Sequence, residues 1–229
     1  MRKSLIALLL ASCFGSASAK ETLEVTKNNI KFALTATASN PKYLYIVMPG
    51  GHGQLGLTQT NDKIENQLPF NFLIRTRDLM ADEDIVVAAA DATDNPDIIA
   101  SIIAHVKERF PNVQTYVAGT SRSVENTKSL AKTMDQTIAG FVHTASHNSI
   151  ASFDTRQFKS RHLLAHHEHD GCYGYNSYGS DYNAKKFGTE LIMIKGGYSK
   201  GNVCGGNSHH GFLGVEQEVI AKIKAWIKR

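Results

Sequence analysis

Nearly unbroken apolar runs, alternating with stretches whose apolar residues recur at helical spacing, constrain this chain more than any other feature. Tyr43–Met48, Asp84–Ala90 and Tyr116–Thr120 are such runs. A strand that reads apolar at every position belongs in a sheet covered on both faces. Asp97–Phe110 lies between the second and third runs, with Ile98, Ile99, Ile102, Ile103 and Val106 on one helical face and Pro96 near its start. Asn71–Met80, Val124–Met134, Asn183–Phe187 and Val215–Trp226 also read as helices, and Ile138–Thr144, Leu163–His167 and Leu191–Ile194 as strands. Glu21–Val25 and Lys31–Ala36 alternate polar and apolar residues, as antiparallel strands at a sheet edge do. Strands alternating with helices imply βαβ crossovers, hence an α/β fold with a mostly parallel sheet and helices on both faces. The pattern predicts about eight strands and five or six helices in one domain, with no insertion long enough for a lid domain.

The first residues read as an export signal rather than as part of the fold. Arg2 and Lys3 precede a short apolar run, Leu5–Phe14, and Ala17-Ser18-Ala19 offers a small-x-small cleavage site before Lys20. The expected division is a signal peptide over 1–19 and one domain over 20–229. Leu10-Ala11-Ser12-Cys13 also resembles a lipobox, which would make Cys13 a lipid anchor in place of simple cleavage. No apolar run is long enough to span a bilayer. The 25 Lys and Arg stand against 21 Asp and Glu, evenly spread, which argues against nucleic acid or an anionic membrane surface as a partner. Past the signal only Cys172 and Cys204 remain, and an even pair in an oxidising compartment is most simply a disulfide. A loop of that length closed by a bridge gains roughly 3 to 4 kcal/mol on the chain-entropy model.

Reactive residues fall where such a sheet binds ligands, beyond the carboxyl ends of its strands. Gly119-Thr120-Ser121-Arg122-Ser123 follows a strand and opens a helix, the setting in which a strained turn holds a Ser hydroxyl clear of the backbone. It departs from Gly-x-Ser-x-Gly by having Ser123 in the last place. A serine nucleophile needs a base, and the base needs a carboxylate to set its tautomer. Asp170 and His210 supply these in the order Ser, acid, His. His209 competes with His210, and Asp91 and Asp154 are weaker candidates for the acid. Glu168 falls on the wrong step of its strand. Pro49-Gly50-Gly51-His52-Gly53, after the third strand, can turn its N–H groups inward.

The chain resembles the α/β-hydrolase superfamily, and within it a group of small exported bacterial serine hydrolases. The resemblance rests on Pro49–Gly53, Asn71–Arg75 (Asn-Phe-Leu-x-Arg), Gly119–Arg122 (Gly-Thr-Ser-Arg), His166–Cys172 (His-His-x-x-Asp-x-Cys), and Cys204 followed by His210-Gly211-Phe212. It spans nearly the whole of 20–229. It implies Ser121 as nucleophile, His210 as general base and acid, and Asp170 as the orienting carboxylate. The N–H of Arg122 and one from Gly51 or His52 would form the oxyanion hole, while Cys172 and Cys204 would tie the acid loop to the approach of the His loop. The implied substrate is a small carboxylic ester or related acyl compound, handled without cofactor or metal.

Two other readings compete with this one. Ser123 in place of glycine suggests a fold member that binds without catalysis. His162, His166, His167, His169, His209 and His210, with both cysteines as thiolates, suggest an exported metal-binding protein.

Overall fold

A computed structural model describes residues 19–61 and 63–229. The expected signal sequence up to Ser18, and Cys13 with it, lies outside them. One eight-stranded sheet organises the chain, in the order β1-β2-β6-β3-β7-β8-β9-β10. Its strands are β1 (Lys20–Val25), β2 (Lys31–Ala36), β3 (Tyr43–Met48), β6 (Ile85–Ala90), β7 (Gln114–Thr120), β8 (Gly140–Thr144), β9 (Arg161–His167) and β10 (Glu190–Ile194). The pairs β1–β2 and β2–β6 are antiparallel and all others parallel, so the antiparallel strands do form one edge. A small hairpin, β4 (Thr58–Thr60) with β5 (Lys63–Glu65), forms a second sheet and sets Ile64 against the core beside β1. Its threonines and charges gave no periodic apolar signal in the sequence.

Helices cover both faces, as the unbroken apolar strands require. Leu44, Ile46 and Met48 of β3 pack with α3 (Pro96–Arg109) and α4 (Val124–Met134), while Tyr45 and Val47 face α1 (Phe72–Arg75), α2 (Arg77–Met80) and α6 (Glu216–Ile227). The helix expected over Asn71–Met80 is instead two single turns. Thr76 sits at φ −102°, ψ 7°, and its hydroxyl donates to the Phe72 carbonyl at 2.7 Å, a local bond that competes with helix propagation. The helix expected over Asn183–Phe187 begins earlier, as α5 (Tyr178–Phe187). Its buried residues are Gly179, Ser180 and Asn183, so no apolar stripe marked its first turns. Among the described residues no helix is long and apolar enough to cross a membrane.

Two of the sequence's histidines serve the core. His143 (β8) and His162 (β9) lie nearly coplanar, with His143 Nε2 to His162 Nδ1 at 3.0 Å and His143 Nδ1 to Thr127 Oγ1 at 2.8 Å. The Thr127 hydroxyl proton goes to the Val124 carbonyl at 2.8 Å. Thr127 Oγ1 must therefore accept from His143 Nδ1–H, leaving His143 Nε2 to accept from His162 Nδ1–H. The His143 ring is satisfied at both nitrogens as a neutral tautomer. Burial pushes His143 well below the ordinary imidazole range and His162 down to about 4.

Well above pH 6.5 neither ring is charged in either state, so their effect on stability is constant there. Below 6.5 the unfolded chain takes up protons that the folded one refuses, and stability falls. Between pH 7.5 and 4.5 His162 alone is expected to remove about 2 to 3 kcal/mol. Denaturation midpoints measured at both values should show this fall, and it should shrink in His162→Gln, whose amide can still donate but cannot titrate.

Candidate active site

Ser121 sits where β7 passes into α4, on a turn that few residues tolerate. Its φ is +57°, a left-handed conformation that is uncommon outside glycine and is held only when the surroundings over-determine it. The surroundings are close-packed backbone. A side chain at Gly50 would stand 2.8 Å from the Thr120 carbonyl oxygen and 2.9 Å from Ser121 Cβ, and one at Gly119 would stand 2.5 Å from the Ser123 carbonyl oxygen. Both glycines are thus required by closeness of approach. Ser123, the departure from the Gly-x-Ser-x-Gly pattern, is buried and fully bonded. Its Oγ accepts the Thr120 N–H at 2.8 Å, and its proton lies between the carbonyls of Met48 at 2.9 Å and Thr120 at 3.0 Å. The extra hydroxyl ties the turn to the end of β3.

The expected acid and histidine converge on that turn. His210 Nε2 lies 2.9 Å from Ser121 Oγ, and His210 Nδ1 lies 2.8 Å from Asp170 Oδ2. Asp170 and His210 are each 5% exposed. Burial alone would raise the Asp170 pKa, but hydrogen bonds from His166 and His210, the charge of His210 and the Cys172 N–H bring it down to about 2. Asp170 is accordingly a carboxylate at any pH where His210 could act as a base. Such a chain can take the proton from a Ser hydroxyl and return it to a leaving group.

Packing decides between the two adjacent histidines. His209 stacks on His167 with ring centroids 4.3 Å apart, away from Ser121. His210 is held by its loop: Ser208 Oγ accepts the His210 N–H at 3.1 Å, and Phe212, at φ +58°, packs on Phe72 at 4.7 Å. Arg75 Nη2 donates to the Gly211 carbonyl at 2.6 Å and to Glu216 at 2.8 Å. The Asn71–Arg75 motif therefore earns its place by anchoring the His loop. Cys172 and Cys204 are joined, with S–S 2.04 Å, two residues beyond Asp170 and six before His210.

The glycine turn adjoins Ser121 through Gly50, which lies against the Thr120 carbonyl and Ser121 Cβ. The N–H groups of Gly51 and His52 donate to no acceptor among the described residues. A polar cavity of about 190 Å³ is lined there by Gly51, His52, Gly53, Arg122 and Asn126. The His52 ring is turned to its own loop, accepting the Gln54 N–H at 3.2 Å. The weaker acids have structural duties. Asp91 accepts the Leu55 N–H at 2.6 Å, Asp154 pairs with Arg156, and Glu168 faces His169 and Lys195.

Most of the groups of the metal-binding alternative are engaged elsewhere. Both cysteines are oxidised, His143 holds His162, His166 and His210 hold Asp170, and His167 is occupied at both nitrogens by the His169 N–H and the Gly196 carbonyl. Among the described residues no group of three or more His, Cys, Asp or Glu is placed to hold an ion. His166 is the member of the site whose contact with Asp170 the sequence analysis missed. Its position four residues before Asp170, across a strand end, was the available signal.

The bonds of Ser123 yield an outcome opposite to a plain glycine preference. Ser123→Gly and Ser123→Ala should each lower stability by about 1 to 3 kcal/mol, the usual penalty for unmade buried hydrogen bonds, as read from denaturant midpoints. Replacing both Cys172 and Cys204 by Ser should cost about 3 to 4 kcal/mol by the same measurement.

No model of a known protein family matches the chain, and no curated protein sequence is similar to it. Solved structures are similar in fold. Dienelactone hydrolase from Anabaena variabilis superposes with a TM-score of 0.61 at 11% identity, over 92% of this chain and 98% of that one. Est1E from Butyrivibrio proteoclasticus gives 0.59 at 10% identity, over 91% and 98%. A lidless α/β serine hydrolase from Xanthomonas campestris gives 0.55 at 9% identity, over 95% and 98%. Identities this low speak for architecture alone, and they agree with the strand order of the sheet: the chain has the α/β-hydrolase fold, with no lid domain among the described residues.

Proposed function

We propose that this protein is an exported serine hydrolase that cleaves a small carboxylic ester or related acyl compound through an acyl-enzyme. The observation that carries the reading is the continuous chain Ser121 Oγ, His210 Nε2, His210 Nδ1, Asp170 Oδ2, with Ser121 lifted on a left-handed turn. Ser121 Oγ attacks the substrate carbonyl carbon while His210 Nε2 takes its proton. Asp170 keeps Nδ1 protonated and stabilises the imidazolium that forms. The carbonyl oxygen becomes an oxyanion, which the N–H groups of Arg122 and of Gly51 or His52 receive, each donor contributing roughly 3 to 4 kcal/mol by analogy with measured cases. Collapse breaks the ester C–O bond, and His210 returns the proton to the departing alcohol. Water then repeats the sequence on the acyl-enzyme, releasing the acid and restoring Ser121. Only water is consumed, so the reaction calls for no cofactor.

Supporting observations come from the fold and the bridge. Est1E, one of the structural neighbours, has been solved with ferulic acid bound, and another neighbour is named as a dienelactone hydrolase, which supports an acyl substrate for this architecture. A disulfide across the acid and His loops fits an oxidising compartment, in line with the signal sequence read at 1–19.

Labelling with a fluorophosphonate probe tests the reading. The wild-type protein should be modified at Ser121, and Ser121→Ala should abolish both labelling and ester hydrolysis, with kcat falling by about 10⁴ or more. Labelling that survives Ser121→Ala, or none in the wild type, would overturn it. A series of p-nitrophenyl esters from acetate to decanoate then measures which acyl length the site takes, and activity on none of them would overturn ester hydrolysis.

A further inference from the structure

Asp170 is engaged by more than the histidine that faces Ser121. His166, at the end of β9 and fully buried, points its Nε2 at Asp170 Oδ2 at 3.2 Å and at the Tyr175 carbonyl at 2.8 Å. Its Nδ1 lies 2.8 Å from Oγ of Ser180, a residue of the first turn of α5 that is also fully buried. A carbonyl can only accept, so Nε2 must carry a proton, which it shares with Asp170. In the neutral ring Nδ1 is then an acceptor, and the Ser180 hydroxyl must donate to it. With the Cys172 N–H on Oδ1 at 3.0 Å, Asp170 accepts three hydrogen bonds while its side chain sees no solvent.

Two donors on one carboxylate oxygen share its electron density. What His166 draws from Oδ2 is not available to His210 Nδ1–H, so His166 weakens the pull of Asp170 on His210 and turns the carboxylate toward a fixed direction. We infer that His166, held in its Nε2–H form by Ser180, is a positioning residue that sets the protonation of His210 through Asp170. The inference rests on the reading of Ser121, His210 and Asp170 as a hydrolytic triad, and it adds a second histidine and a second serine behind the acid. The chain of contacts then runs from Ser180 through His166, Asp170 and His210 to Ser121, linking α5 to the reacting hydroxyl.

The other ionisable groups nearby do not touch Asp170. Tyr175 meets the His210 ring edge-on at 5.5 Å and has His147 on its other side at 5.0 Å. Arg122 adjoins Ser121 in the turn. His167 and His209 stack on each other, and Glu168 faces Lys195 and His169. His166 is thus the one titratable side chain besides His210 that bonds to Asp170 among the described residues.

Removing the His166 donor should make Asp170 a stronger partner for His210 and raise the pH at which His210 loses its proton. NMR titration of the histidine Cε1–H signals, with His210 assigned by its absence in His210→Gln, reads this directly. In His166→Leu the His210 midpoint is expected to rise, and the acid limb of kcat/KM for p-nitrophenyl acetate should rise with it. His166→Gln, whose amide can donate to the same two acceptors, should restore both to near wild type. Ser180→Ala should move them in the same direction by a smaller amount, and it carries the test if His166→Leu does not fold. A His210 midpoint that stays put in the folded variants, or a shift that His166→Gln fails to reverse, would overturn the inference. If the wild type neither labels with fluorophosphonate nor hydrolyses an ester, the hydrolase reading fails, while the titration still decides whether His166 governs His210.

Discussion

The close approach of three backbone segments around Ser121 is the constraint on which the rest of the site depends. β3 ends, β7 ends and α4 begins within van der Waals contact, and the turn between the last two is held at a φ that a serine does not adopt freely. Gly50 and Gly119 make the approach possible by lacking a side chain, and Ser123 locks it by bonding to both neighbouring segments. Once that junction is set, the Ser121 hydroxyl and the N–H groups of the glycine turn have little choice of direction. The strain is borne by the parallel core of the sheet, where β3 and β7 are paired along their whole length.

The histidine and the acid arrive by a different route. Both lie on loops at the far side of the sheet, and loops are inherently less well held than strands. Here they are fastened by separate chemistries. The disulfide ties the acid loop to the chain leading into the His loop, and Arg75 with Glu216 and Phe72 with Phe212 tie the His loop to the first and last helices. His166 and Ser180 hold the acid from behind. This explains motifs that hold no reactive group: Asn71–Arg75 and Cys204 serve the geometry of residues distant in sequence.

Much of this was legible beforehand, and unevenly. Continuous apolar strands announced a sheet covered on both faces, and β3, β6 and β7 lie where they were expected. The helix at Asn71–Met80 was not, because periodicity does not register a Thr76 hydroxyl that competes for a backbone carbonyl. The start of α5 was invisible because its buried face is small and polar. At the site, Ser121, Asp170 and His210 were readable from residue type and order. Ser123 was read as a defect, since a pattern records which residue is absent and says nothing of the bonds that its replacement makes.

Sequence by itself therefore determined the class of fold, the identity of the groups that could react, and the pairing of the cysteines, because each follows from local periodicity, residue chemistry or simple counting. Tertiary structure alone decided what the remaining histidines do, His209 among them, and that His166 stands behind Asp170. The physical reason is that an imidazole is at once donor, acceptor and flat apolar surface. His143 and His162 bond to each other in the core, His167 and His209 stack, and His166 and His210 share a carboxylate, and only the neighbours that folding brings to each ring choose among these uses.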